Sequence, residues 1–164
     1  MKIAMIGGGT VGQTLGAALA ANGHDVAIGI RSVTAGELAK PRQNAATLAD
    51  WQAKTGAKVV TMAQAAAYGE IVFNATSGGA SLAALKLAGE ANLNGKVLVD
   101  VANPLDFSQG MPPFLISQYT GPTSLAEQIQ AAFPKAKVVK AFNTIAAAVM
   151  VNPALIPGDH DLFI

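Results

Sequence analysis

The run "KIAMI" (2–6), followed directly by "GGGTVG" (7–12), constrains this chain more than any other stretch. Five residues, apolar at all but the first position, read as a strand buried on both faces. Glycines then recur as Gly7-x-Gly9-x-x-Gly12. The next apolar positions, Leu15, Ala18 and Leu19, share one face of a helix running from Thr10 to Asn22, with Gly23 as its stop. A second buried run, "DVAIGI" (25–30), follows at once. Glycine spacing of this kind carries weight only between a strand and a helix, inside a βαβ unit of about thirty residues, and that context is met.

Short apolar runs and helical stretches go on alternating. A short helix from Thr34 to Ala39 ends before Pro41, and "NAATLADWQAKTG" (44–56) reads as a second helical stretch. "KVVTM" (58–62) predicts a strand and 63–67 an Ala-rich turn; "EIVFNAT" (70–76) is another buried strand. Residues 80–89 read as helix and 96–101 as strand. The segment 107–119, with Gly110, Pro112 and Pro113, has no period and predicts a loop. Ser124 and Glu127 make a capping box for a helix over 124–133. A strand over 136–142, a short helix over 144–151 and the start of a last strand over 160–164 complete the chain. Strand and helix alternating about six times predict an α/β fold, a doubly wound and mostly parallel sheet in three layers, with residues 1–164 as a single Rossmann domain. The composition agrees: 51% of residues are hydrophobic but only 5% aromatic, which suits helices packed closely on a parallel sheet.

Composition also excludes function classes. The net charge is +1, charged residues make up 13%, and no basic run occurs, so no nucleic-acid partner is expected. The absence of cysteine removes disulfides, thiolate metal sites and cysteine nucleophiles. His24 and His160 lie far apart in sequence, so no metal site is expected. No apolar run reaches the length of a membrane span. "ALAAN" (18–22) imitates a leader cleavage site, but three consecutive glycines and Gln13 break the apolar stretch before it; a cytoplasmic location is the expectation.

In the βαβ reading each glycine has a task. Gly7 permits the tight turn, Gly9 lets backbone approach a pyrophosphate, and Gly12 lets helix pack on strand. Thr10 and Val11 bring backbone N–H groups to the helix N-terminus, where phosphate binds well. The tip of the second strand selects the coenzyme. NAD sites place an acid there for the ribose 2′-hydroxyl; this strand ends "GIRS", and Asp25 stands at its opposite end. Arg31 and Ser32 suit a 2′-phosphate, with Lys40 as a further charge, so NADP(H) is favoured over NAD(H). The missing acid also argues against S-adenosylmethionine. The competing readings are a glycine-rich turn without ligand and a solvated surface arginine.

With "IGGGTVGQTLGAALAANGHDVAIGIRS", "KVLVDVANPL" (96–105) and "KAKVVKAFNTIAAAVM" (135–150) in view, the chain resembles the NADPH-dependent oxidoreductases related to coenzyme F420 reductase, the deazaflavin:NADP oxidoreductases. The resemblance runs from Met1 to the last residue, and "DVANPL" together with "VVKAFNT" carries it more specifically than the glycines do. It implies that Thr10 and Val11 lie on the pyrophosphate and Arg31 and Ser32 on the 2′-phosphate. It places Ala75, Thr76 and Ser77 by the riboses. Asn103, Pro104, Ala141, Asn143 and Thr144 would line the nicotinamide and the acceptor. All these positions follow strands, where open α/β sheets bind ligands. Turn and capping roles remain alternatives for Asn103-Pro104, Asn143-Thr144 and Ser77 to Gly79, and for Asp100 and Asp106 beside the "VANPL" turn. Ile30 stands where the family often has a serine. The family's chain also continues past the position of Ile164 with elements that complete the domain, part of the acceptor site and a dimer interface.

The function implied is hydride transfer between NADPH and a small acceptor: coenzyme F420, a flavin or a similar oxidant. A homodimer is the expected assembly. No acid or base is expected among the catalytic groups, because the cofactors hold the chemistry and the protein aligns two rings. No Lys, His or Glu is expected at a strand end in that role. The second reading is a non-catalytic NADP(H)-binding module with a redox-sensing or regulatory task.

Overall fold

The apolar runs assemble side by side. In the computed structural model, which describes residues 1–162 and 164, six of them form one parallel sheet. These are β1 (Lys2–Ile6), β2 (Asp25–Ile30), β3 (Lys58–Thr61), β4 (Ile71–Asn74), β5 (Val97–Asp100) and, after the short β6 (Leu105–Asp106) and β7 (Phe114–Leu115), β8 (Lys137–Lys140). Their spatial order is β3-β2-β1-β4-β5-β8. The helices are α1 (Thr10–Ala21), α2 (Ala35–Ala39), α3 (Leu48–Thr55), α4 (Met62–Tyr68), α5 (Ser81–Ala88), α6 (Glu90–Leu93), α7 (Leu125–Ala132) and α8 (Ala147–Val151). The predicted α/β doubly wound fold is therefore the one observed.

Strand alternation sorts the core into two layers. Ala4, Ile6, Ala27 and Val72 face one side and meet Ala65 and Ala66 of α4, Leu85 of α5 and Ile129 of α7. Ile3, Met5, Val26 and Ile28 face the other and meet Leu15 of α1, with Leu48 and Trp51 of α3. Small residues let the layers close up. A Cβ on Gly29 would stand 2.9 Å from the Ala65 side chain, so α4 rests directly on β2. Among the described residues, no helix is long and apolar enough to cross a membrane.

Four local expectations are corrected. Residues 63–67 are helical, because Thr61 and Gln64 form a reciprocal cap: the Gln64 N–H donates to Thr61 Oγ1 at 3.3 Å and the Thr61 N–H to Gln64 Oε1 at 3.0 Å. The helix expected from residue 44 starts at Leu48. Thr47 caps it, and Arg42 and Ala45 form a bridge before it, with Asn44 at φ 55°. Inside the expected 107–119 loop, Phe114–Leu115 is strand, paired antiparallel with β6, Leu105 opposite Leu115. Residues 160–162 and 164 form no strand, and Phe163 lies outside the described residues.

Candidate coenzyme-binding site

The strand order reverses between β1 and β4, and a crevice opens there at the carboxyl ends of the strands. The glycine turn forms its floor. Gly7 has φ 115°, and a Cβ on it would lie 2.6 Å from the Ala75 carbonyl oxygen. A Cβ on Gly12 would fall 2.0 Å from the Gly7 carbonyl oxygen, so the helix start cannot carry a side chain there. Gly9 differs. Its φ of −80° suits any residue, and a Cβ on it would meet nothing within 4 Å. The fold therefore makes no demand for glycine at 9, whereas a ligand lying against bare backbone does. Gly9 also leaves α1 without a side-chain cap, so the first-turn N–H groups, those of Thr10 and Val11 included, have no partner of the kind a Ser or Asp would supply. These are the features a pyrophosphate needs.

Two cavities flank this floor. The larger, about 560 Å³, lies at the tip of β2 and is lined by Gly7, Gly8, Arg31, Ser32, Lys40 and Arg42, with Glu37 and Thr34 of the short α2 segment. Arg31 and Ser32 are exposed at the strand tip. Arg42 was not among the residues singled out from sequence; the turn at 42–45 returns it to the cavity. The smaller cavity, about 210 Å³, lies over the tips of β4, β5 and β8. It gathers Val11, Ala75, Thr76, Asn103 and Asn143 with the apolar side chains of Leu105, Ile145 and Met150, and no ionisable side chain lines it. Asn103 Nδ2 donates to the Asn143 carbonyl at 2.7 Å, tying the tip of β5 to that of β8.

Other sequence-predicted residues stand elsewhere. Ala141 is buried, while Ser77 and Thr144 are exposed and outside both cavities. Pro104 is buried against Gly78, whose N–H donates to the Asn103 carbonyl at 2.9 Å. The Thr10 hydroxyl lies 3.3 Å from the carbonyls of both Gln43 and Asn44. Phe142, between Ala141 and Asn143, has φ 65°, a conformation L-residues seldom adopt, and its ring packs with the α1-side core.

Beneath the smaller cavity runs a buried polar network. Asn74 Nδ2 donates to Asp100 Oδ1 at 2.8 Å and to Ser81 Oγ at 2.9 Å. Thr76 Oγ1 donates to Asn74 Oδ1 at 2.8 Å. Lys140, at the end of β8, reaches Asp100 Oδ2 at 3.0 Å and also donates to the Ala102 carbonyl. Asn74, Ser81 and Asp100 are fully buried. Asp100 is thus more than a turn residue, and a lysine does occupy a strand end, engaged in structure. "Asn74" four residues after a strand start and "Asp100" at a strand end were the available signals; only the sheet register, with Asn74 beside Asp100 and Asp100 beside Lys140, joins them.

Residues 2–104 match the family model described as NADP oxidoreductase, coenzyme F420-dependent. The crystal structure of a candidate F420-dependent NADP reductase from Arthrobacter sp. FB24 is 49% identical, with a TM-score of 0.84 over 94% of this chain and 67% of that one. Imine reductases from Bacillus cereus and Streptomyces aurantiacus, each 20% identical, superpose with TM-scores of 0.60 and 0.55 and share the fold. The chain spans 42% and 40% of their respective lengths. No curated protein matches the chain. Glycine turn, cationic strand tip and family match agree: this chain belongs to the coenzyme F420-dependent NADP oxidoreductase family.

Proposed function

We propose that the protein binds NADP(H) across the crevice and passes a hydride between its nicotinamide and a planar acceptor of the deazaflavin or flavin type. The observation that carries this reading is the contrast between the two cavities. One is cationic and lies at the β2 tip; the other is uncharged and lies over β4, β5 and β8, with the glycine floor between them. A coenzyme with a phosphorylated ribose at one end and a neutral redox ring at the other matches that polarity. When bound, NADPH supplies the hydride itself.

The chain's own residues have the tasks of binding and alignment. Arg31 and Ser32 hold the 2′-phosphate end. The first-turn N–H groups of α1 receive the pyrophosphate. Asn103 and Asn143, fixed to each other, set the floor of the ring pocket, and Leu105, Ile145 and Met150 keep water from it. A pocket without an ionisable side chain suits hydride transfer between two cofactors, with the proton that the reduced ring takes up at nitrogen coming from solvent at the acceptor's open edge and not from a side chain.

Anaerobic absorbance measurements of NADPH oxidation with coenzyme F420, FMN and a carbonyl acceptor test the reading. Oxidation with a deazaflavin or flavin and none with the carbonyl is the expected result. Tight NADPH binding without oxidation by any of the three would replace it with a coenzyme-binding module that performs no transfer.

A further inference from the structure

The 2′-phosphate end of the site holds a residue that no sequence motif marks. Near neutral pH a phosphate monoester carries a charge between about −1.5 and −2, so a matched pocket needs close to two cations. Arg31 is one. Lys40 lines the same cavity, but its Nζ is exposed and stands 3.8 Å from Glu37 Oε1, so the carboxylate offsets part of its charge there. The remaining cation is Arg42.

Arg42 is placed for such a task and incompletely partnered. A guanidinium offers five N–H donors. Here one Nη2 donor makes a long contact of 3.5 Å with the Glu37 carbonyl. Arg42 Nε is out of solvent and has no acceptor, the one such side-chain atom among the described residues. A dehydrated donor without an acceptor is costly, and an anion entering the cavity would relieve it as the guanidinium turns toward it. The backbone carrying Arg42 is also tied to the glycine turn. Thr10 Oγ1 lies against the Gln43 and Asn44 carbonyls, and Gln13 Nε2 donates both to the Gly8 carbonyl at 3.1 Å and to the Ala46 carbonyl at 2.9 Å.

We propose that Arg42 is the second arginine of the 2′-phosphate pocket and, with Arg31, determines the preference for NADPH over NADH. Segment 42–46, laced to Thr10 and Gln13, is the strap that holds it in place. This rests on the NADP(H) reading above.

The test is equilibrium binding of NADPH, NADH, adenosine 2′,5′-bisphosphate and 5′-AMP to the full chain and to Arg31→Ala, Arg42→Gln and Arg42→Lys. Arg42→Gln should weaken NADPH and the bisphosphate at least tenfold and change NADH and 5′-AMP less than twofold. Arg42→Lys should recover part of the loss, and it keeps the question open to measurement if the Gln variant does not fold. Loss of discrimination in Arg31→Ala alone, with both Arg42 variants discriminating like the parent, overturns the role of Arg42 and leaves the NADP(H) reading standing. Failure of the parent chain itself to prefer the 2′-phosphorylated ligands overturns both.

Discussion

Gly9 and Gly12 stand three residues apart and answer to different demands. A Cβ at 12 would sit 2.0 Å from the Gly7 carbonyl oxygen, whereas at 9 it would meet open space. Gly12→Ala should therefore fail at folding, read as loss of a cooperative melt. Gly9→Ala should keep the parent melting temperature and lose NADPH affinity, by about tenfold or 1.4 kcal/mol. Equal effects of the two on stability would contradict this division. Arg31→Ala should weaken NADPH binding by roughly 1.5–3 kcal/mol, the scale of a hydrogen bond to a charged group, and leave NADH nearly unchanged. The glycine turn and the place of Arg31 were legible in the sequence because each follows from local position: a turn, a helix start, a strand tip. Arg42 was not, since only the turn at 42–45 returns it to the cavity. Asp100 and Lys140 were not either, being 40 residues apart and joined by register.

Strands announced themselves more clearly than helices, because a parallel sheet buries both faces and leaves continuous apolar runs such as "KIAMI". The short helices depended on caps. Ser124 and Glu127 form the cap their spacing predicts; Thr61 and Gln64 form the same device, hidden at the junction where β3 runs straight into the Ala-rich α4. Ser124→Ala should cost about 1 kcal/mol of stability, measured by denaturant melts. The Ser124 N–H donates to Glu127 and holds that carboxyl below its ordinary range. The folded-state value is the depressed one. The cap's contribution is therefore present above the ordinary carboxylate value and disappears as pH falls through the depressed one. The difference between parent and Glu127→Gln, which removes the titrating carboxyl, should narrow in acid over that interval. At the sheet's other end, Lys140→Met would strand the buried Asp100 carboxylate. With Lys140 about a third exposed, the loss should fall near 3 kcal/mol, the lower end of the range for a broken buried pair.

For the whole molecule, the coenzyme acts as a part of the fold that arrives late. A ligand that binds only the native state at a hundred times its dissociation constant adds about 2.7 kcal/mol. In a chain of this size that should raise the melting temperature by roughly 5–10 °C. NADPH should give that shift at concentrations where NADH gives little; matching shifts would speak against the cationic cavity as a selector. The sheet adds a kinetic side to this. β1 pairs with β2 through neighbouring chain, but its other edge must wait for β4, where Ile3 meets Ile71. That one distant pairing joins the half of the sheet carrying Arg31 to the half carrying Asn103 and Asn143. Closing it late is slow, since a long loop has to be ordered first. A coenzyme spanning the seam would behave as a clasp: it could add little to the rate at which the halves meet, and would show itself instead in how slowly they part.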